Sequence, residues 1–270
     1  MVRLLEEQYN ADKVDIVVED PSALDGATYI ITGFYGLGFC GYLTTKFLYD
    51  AAYSRGKTRR FGIIWSNSLP PVVEVDDTGK FRYPIEIHRI GANASVLLFR
   101  YQPSMSMQVG IADVITALAK EKGMTLILCG GIDINAFPEE RRDDADVVYV
   151  CNGPFEEKYI VNGRWEVDKS PPEVVVSGGI ALILMYADRR EVPAVSLLTP
   201  TIARTGYLDY RASLKLAKRI VRMFELDIEL SSIEEKVQMI EAQQVMRIIE
   251  KRERGRRLDE FEEHEEFGIT

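Results

Sequence analysis

Short apolar, β-branched runs alternate along this chain with longer stretches whose apolar residues recur every three or four positions. Residues 14–19 predict a first strand, closed by Asp20-Pro21. Tyr29-Ile30-Ile31-Thr32 predicts a second, and after a glycine-rich turn Tyr42, Leu43, Phe47, Leu48 and Ala51 mark a helix. Residues 61–65 read as an interior strand. Residues 72–75 and 80–84 read as a hairpin turning at Thr78-Gly79. Residues 85–90 alternate apolar and polar as a half-buried strand does, with His88 on the polar side. Residues 94–99 suit a central strand. Val109, Ala112, Ile115, Leu118 and Ala119 form one stripe and predict a helix over 106–122. Residues 125–129 predict a buried strand closed by Gly130-Gly131, and 147–150 predict another.

Asn162-Gly163 sits at the centre of 159–167 and predicts a hairpin with a type I′ turn. Ser177-Gly178-Gly179 opens an apolar helix, 180–187. Residues 192–198 form a further strand, its Pro193 near the start. Residues 209–223 form a helix with Leu214, Ala217, Ile220 and Val221 inward. Strands alternating with helical crossovers imply an α/β domain with a largely parallel sheet flanked by helices. We divide the chain into an α/β core at 1–228 and a helical extension at 229–270. From Ser231 the extension reads as one long helix, with Ser232 and Glu235 as a capping box. Ile233, Val237, Ile240, Val245, Ile248 and Ile249 line its apolar side and are the expected partner-binding or oligomer-binding residues. Its end separates charge, basic from Arg247 to Arg257 and acidic from Asp259 to Glu266. This is a solvated helix end or a handle for another protein.

Composition narrows the function. The chain has 270 residues, 46% of them hydrophobic, which is ample for a folded core. A net charge of −9 argues against general nucleic-acid binding. Without an apolar run of membrane-spanning length, and with an acidic N-terminus in place of a signal peptide, the expected location is the cytoplasm. Cys40, Cys129 and Cys151 are too widely spaced for a Cys-x-x-Cys pair, and Cys129 reads as a buried small hydrophobe. Two histidines, His88 and His264, exclude a multi-histidine metal centre, and no cofactor is expected. His88 reads as a surface or hydrogen-bonded residue rather than a catalytic base.

The turn Gly33-Phe34-Tyr35-Gly36-Leu37-Gly38 admits two readings. Gly36 to Gly41 fits G-x-G-x-x-G, a phosphate or nucleotide cradle at a helix start. Close packing of helix on sheet explains the same glycines, because only Gly fits there. Gly33, Phe34, Gly36, Gly38, Asp133, Ser177, Gly178 and Gly179 are the candidate ligand-binding residues, since both glycine loops follow extended chain and precede a helix. Ser177 has no evident base, so no catalytic residue is assigned.

The glycine turn Ile31-Thr32-Gly33-Phe34-Tyr35-Gly36-Leu37-Gly38 and the segment Ser177-Gly178-Gly179-Ile180-Ala181-Leu182-Ile183-Leu184 together resemble the proteasome assembly chaperone family. Gly130-Gly131, the strand over 147–150, Val192-Pro193-Ala194-Val195-Ser196-Leu197-Leu198 and the following helix extend the likeness over residues 10–225. The resemblance implies a fold like that of the purine nucleoside phosphorylase and hydrolase folds. It also implies a homo-oligomer and a non-catalytic role in binding or assembling the proteasome, with proteasome α-subunits or a paralogous chaperone as partner. Some archaeal members end in a hydrophobic–Tyr–any tripeptide that enters α-ring pockets. Here Ile269 stands where that Tyr would be. The alternative function is an enzyme or small-ligand binder whose glycine loops take a phosphate- or nucleoside-containing molecule.

Overall fold

A computed structural model describes residues 12–76, 78–161, 165–204, 206–243 and 246. The strands are β1 (Val14–Val18), β2 (Tyr29–Gly33), β3 (Thr58–Ser66), β4 (Glu74–Val75), β5 (Phe81–Arg82) and β6 (Ile85–Ile90). They continue with β7 (Ala94–Phe99), β8 (Thr125–Asp133), β9 (Val148–Cys151), β10 (Asp168–Lys169) and β11 (Ala194–Thr201). The principal helices are α1 (Cys40–Tyr53), α2 (Met105–Lys122), α3 (Gly178–Arg189) and α4 (Tyr210–Met223).

Among the described residues nine strands form one sheet in the order β1-β3-β6-β7-β2-β8-β11-β9-β10. Its centre is parallel: β7 with β2, β2 with β8, and β8 with β11. The flank β1-β3-β6-β7 is antiparallel, as is the β11–β9 pair. Central strands buried on both faces need helices above and below. On one face Ile30, Leu97, Leu126 and Leu128 join Ile111 and Ile115 of α2 and Ile183 of α3 in the main apolar core. On the other, α1 packs across β2, β7 and β8 and against α4. The small hairpin β4–β5 stands apart as its own two-stranded sheet.

The α/β class and the parallel centre follow the pattern of the sequence, and four local readings are corrected. Strand β8 does not close at Cys129 but runs through Gly130 and Gly131 to Asp133. A Cβ at Gly130 would come within 2.9 Å of Ile180 and Leu198, so these glycines make room for neighbours rather than break the strand. Strand β6 is not half-exposed, because Glu86 and His88 are buried with its apolar residues. The segment around Tyr159 is not a hairpin arm. Asn152 caps a short helix, Gly153–Phe155, which continues as a π-helical turn, Glu156–Ile160. Phe155 and Tyr159 stack at 4.6 Å across that turn, and Asn162-Gly163 falls outside the described residues. In α4 the buried side is Ala212, Ser213, Leu216, Ala217 and Ile220, with Leu214 and Val221 half-buried.

The chain divides into two units between Leu230 and Ser231. The second is helical over 231–243. Ile233 and Val237 are 2% and 3% exposed. Ile240 is half-buried, while Val245, Ile248 and Ile249 lie outside the described residues. Among the described residues no helix is long and apolar enough to cross a membrane.

Candidate functional site

The carboxyl ends of β2, β8 and β11 and the approach to α3 enclose a cleft of about 670 Å³. This is the edge of a parallel sheet where ligands bind in open α/β folds, and the volume is in the range of small-molecule sites. Phe34, Gly36, Asp133, Ser177, Gly178 and Gly179 all line it, so residues 145 positions apart in the chain meet there. Gly33 and Gly38 do not line it. A side chain on Gly33 would overlap the backbone of Gly41, and Gly41 in turn lies against the Cys129 carbonyl. Gly38 has φ +59° and lies under Thr201, and its carbonyl accepts the Asp209 amide at 2.9 Å. Both are packing positions that let α1 cross directly over β2 and β8.

Gly36 is different in kind. It is exposed at the rim of the cleft, with φ −120° and no atom outside the local chain within 4 Å of its missing side chain. Phe34 is buried, stacked on Phe99 at 4.5 Å, and its ring fills the space that Gly179 leaves by having no side chain. Tyr35 donates its amide to the Gln102 side chain at 3.1 Å and stacks on Tyr42 at 4.3 Å. Asp133 Oδ1 accepts from the amide of Asn135 at 2.9 Å and from its side chain at 3.0 Å. Ser177 stands at the N-cap of α3 but makes no side-chain bond to its first turn. The amides of that turn thus receive no side-chain cap.

Sequence reasoning missed Gln108, Gln102, Leu37, Met105 and Glu173, which also line the cleft. Gln108 left a signal: it shares a helical stripe with Ile111 and Ile115, where a polar residue is out of place. Glu173 left none, being one acidic residue in a loop.

Among the described residues the lining holds no His, Cys, Lys or Arg. His88 is engaged elsewhere. Its Nε2 lies 2.8 Å from Glu86, whose carboxylate also takes Arg60 at 3.0 Å, Arg100 at 2.9 Å and the Tyr83 amide at 3.1 Å. Burial pushes the Glu86 carboxyl up, but the His88 hydrogen bond and the Arg100 charge outweigh it and hold it at about 2. Burial also keeps His88 below its ordinary value, against the pull of Glu86. The pair is a neutral imidazole donating to a carboxylate. Burial pushes the thiol of Cys40 up to about 12 and that of Cys129 higher, so neither is a ready nucleophile.

The fold and site thus define a class: an α/β protein with an acidic, glycine-walled cleft at the sheet's carboxyl edge and, among the described lining residues, no paired nucleophile and base. The chain belongs to the PAC2 family, whose model matches residues 30–248. Its fold is similar to that of Pyrococcus furiosus PbaA, an archaeal homolog of proteasome-assembly chaperone, at TM-score 0.73 and 21% identity. That likeness covers 94% of this chain and 99% of PbaA. It is also similar to P. furiosus PbaB, an archaeal proteasome activator, at TM-score 0.65 and 16% identity, covering 88% and 99%. A PAC2 family protein from Streptomyces avermitilis follows at TM-score 0.58 and 15% identity, covering 81% and 95%. No curated protein matches this chain closely enough to count as a relative.

Proposed function

We propose that this chain acts without catalysis, in the cytoplasm, as a proteasome-assembly-chaperone-like protein that self-associates and binds proteasome α-subunits or a paralogous chaperone. The supporting observation is helix α3. Its sequence, GGIALILMYADR, is apolar almost all round until its last residues, a composition that belongs to a helix buried on every side. Yet only Gly179, Ile183 and Ala187 are buried. Leu182 and Leu184 are half-buried against the core, and Met185 is 54% exposed. We read Met185 and the half-buried leucines beside it as part of a protein interface. Membership of PAC2, with neighbours described as a chaperone homolog and a proteasome activator, supports the choice of partner. In this reading the core 1–228 carries the interface and the extension 229–270 adds to it through Ile233, Val237, Ile240, Val245, Ile248 and Ile249.

The test is light scattering on purified protein, alone and with purified proteasome α-subunits from the same source. A defined oligomer or a mixed complex that Met185→Glu disrupts, with thermal stability kept, supports the reading. A monomer that binds no α-subunit overturns it, as does an assembly indifferent to Met185→Glu.

A further inference from the structure

The cleft contains a polar atom that the fold itself leaves without a partner. Gln108 is 4% exposed, and its Nε2 donates to the Pro103 carbonyl at 2.8 Å. A carbonyl accepts only from the amide's donor end, which fixes Oε1 on the opposite side. Oε1 has no hydrogen-bond partner in the chain. A buried acceptor without a donor is costly, and native folds seldom keep one without use.

Oε1 points toward the start of α3. Gly178 there has φ +68°, and its missing side chain would stand 3.8 Å from Oε1, with no other atom from outside the local chain within 4 Å. Oε1 is itself shut off from solvent, so a ligand would reach it through the place that Gly178 leaves empty. Beside it is the first turn of α3, to which the Ser177 side chain makes no bond. An unpartnered acceptor next to a helix start suits a ligand edge with an N–H beside a ring nitrogen or carbonyl. The surrounding walls are apolar, with Phe34, Leu37, Ile180 and Leu198 among them. The charged groups in the lining are the carboxylates of Asp133 and Glu173, which suit hydroxyl donors and repel an anion. Among the described lining residues there is no cation to hold a phosphate.

We infer that the cleft binds a neutral nucleoside: a flat heterocycle read along its donor–acceptor edge by Gln108 Oε1 and the start of α3. Its sugar hydroxyls meet Asp133 and Glu173. The inference is independent of partner binding, since it concerns the cleft and not the outer face of α3.

The test is calorimetry and thermal shift on the full chain with adenosine, guanosine, cytidine and uridine, their 5′-monophosphates, and inorganic phosphate. At least one nucleoside binds saturably and raises the melting temperature. Its monophosphate binds at least about tenfold more weakly, by the like-charge argument, and phosphate alone does not bind. Gln108→Met keeps the side-chain volume and weakens binding by about two- to twelve-fold, one charge-free hydrogen bond's worth. Gly36→Val adds bulk at the exposed rim of the cleft, where a Cβ meets no atom outside the local chain, and is expected to weaken binding. Three outcomes would each overturn the inference: no nucleoside binds, phosphate alone binds, or a monophosphate binds as tightly as its nucleoside. Unchanged binding by a folded Gln108→Met would remove Gln108 from the site and the inference with it.

Discussion

Replacing Glu86 by Gln removes one negative charge from the middle of strand β6 and leaves the shape nearly intact. The wild-type carboxylate is fully buried and meets His88, Arg60, Arg100 and the Tyr83 amide. Its carboxyl is held at about 2 against an ordinary 4.5. A depressed carboxyl stabilises the fold above its unfolded value and loses that contribution as pH falls toward the folded one. The difference corresponds to about 3 kcal/mol at neutral pH. Removing one member of a buried ion network costs about 3–5 kcal/mol in general. Here Arg60 keeps Glu19 and Arg100 keeps Glu74, so the lower end applies. Glu86→Gln should therefore lose about 3 kcal/mol in urea denaturation at pH 7, narrowing to about 1.5 kcal/mol at pH 3. His88 runs in the same sense. Held neutral by burial, it stabilises the fold above pH 6.5 and loses that as pH falls through 6.5 toward its lower folded value. An unchanged urea midpoint at pH 7, or a gap that stays constant from pH 7 to pH 3, would refute the reasoning.

Three further outcomes are expected. Gly33→Ala forces a side chain into the Gly41 backbone and should cost about 2–4 kcal/mol by thermal denaturation, whereas Gly36→Ala should be neutral or stabilise by up to about 1 kcal/mol; equal effects would remove the distinction between packing and open glycines. Cys40 and Cys129 are fully buried, so a thiol reagent at pH 8 should label the native chain only at half-buried Cys151 and all three after denaturation, as read by mass spectrometry. Deleting residues 231–270 should weaken self-association while leaving the far-ultraviolet circular dichroism of the remaining core helical and sheet-like; loss of the folded signal would show that the core needs the extension.

Much of this fold was legible because its signals are local. The strands at the centre are apolar runs bounded by turn residues, and α2 and α4 have stripes on one face. What failed depended on distant neighbours. Residues 85–90 alternate as a half-exposed strand would, and only Arg60 and Arg100, brought from β3 and the end of β7, make it possible to bury Glu86 and His88. Asn162-Gly163 is a strong hairpin signal, but Phe155 and Tyr159 are spaced as on a helix, and Tyr159 is within 2.9 Å of the Thr125 hydroxyl. The candidate ligand residues rested chiefly on glycine loops, with Asp133 added as a polar partner, and the glycine signal mixes two causes. Gly33 and Gly38 answer to packing, Gly36 and Gly178 to open space, and no spacing rule separates them. Gln108 was missed because a single polar residue on an apolar stripe carries meaning only once its missing partner is seen.

Helix α3 has a different physical task at each end of its surface. Its N-terminal turn, through Ser177, Gly178 and Gly179, forms one wall of the cleft, while Leu182 and Leu184 are half-buried and Met185 is open to the outside. A helix under only the first demand would carry polar residues outward. One under only the second would need neither Gly178 at φ +68° nor an uncapped first turn. The two demands are therefore separable by mutation. Met185→Glu alters the outer face and leaves the lining of the cleft intact, and Gly36→Val adds bulk at the rim of the cleft on the β2 side, away from α3. If association fails in the first variant while nucleoside binding persists, and the reverse holds in the second, both readings stand. If either variant abolishes both properties while keeping its fold, the cleft and the outer face of α3 act as one site, and the apolar surface must be assigned to the partner that also fills the cleft.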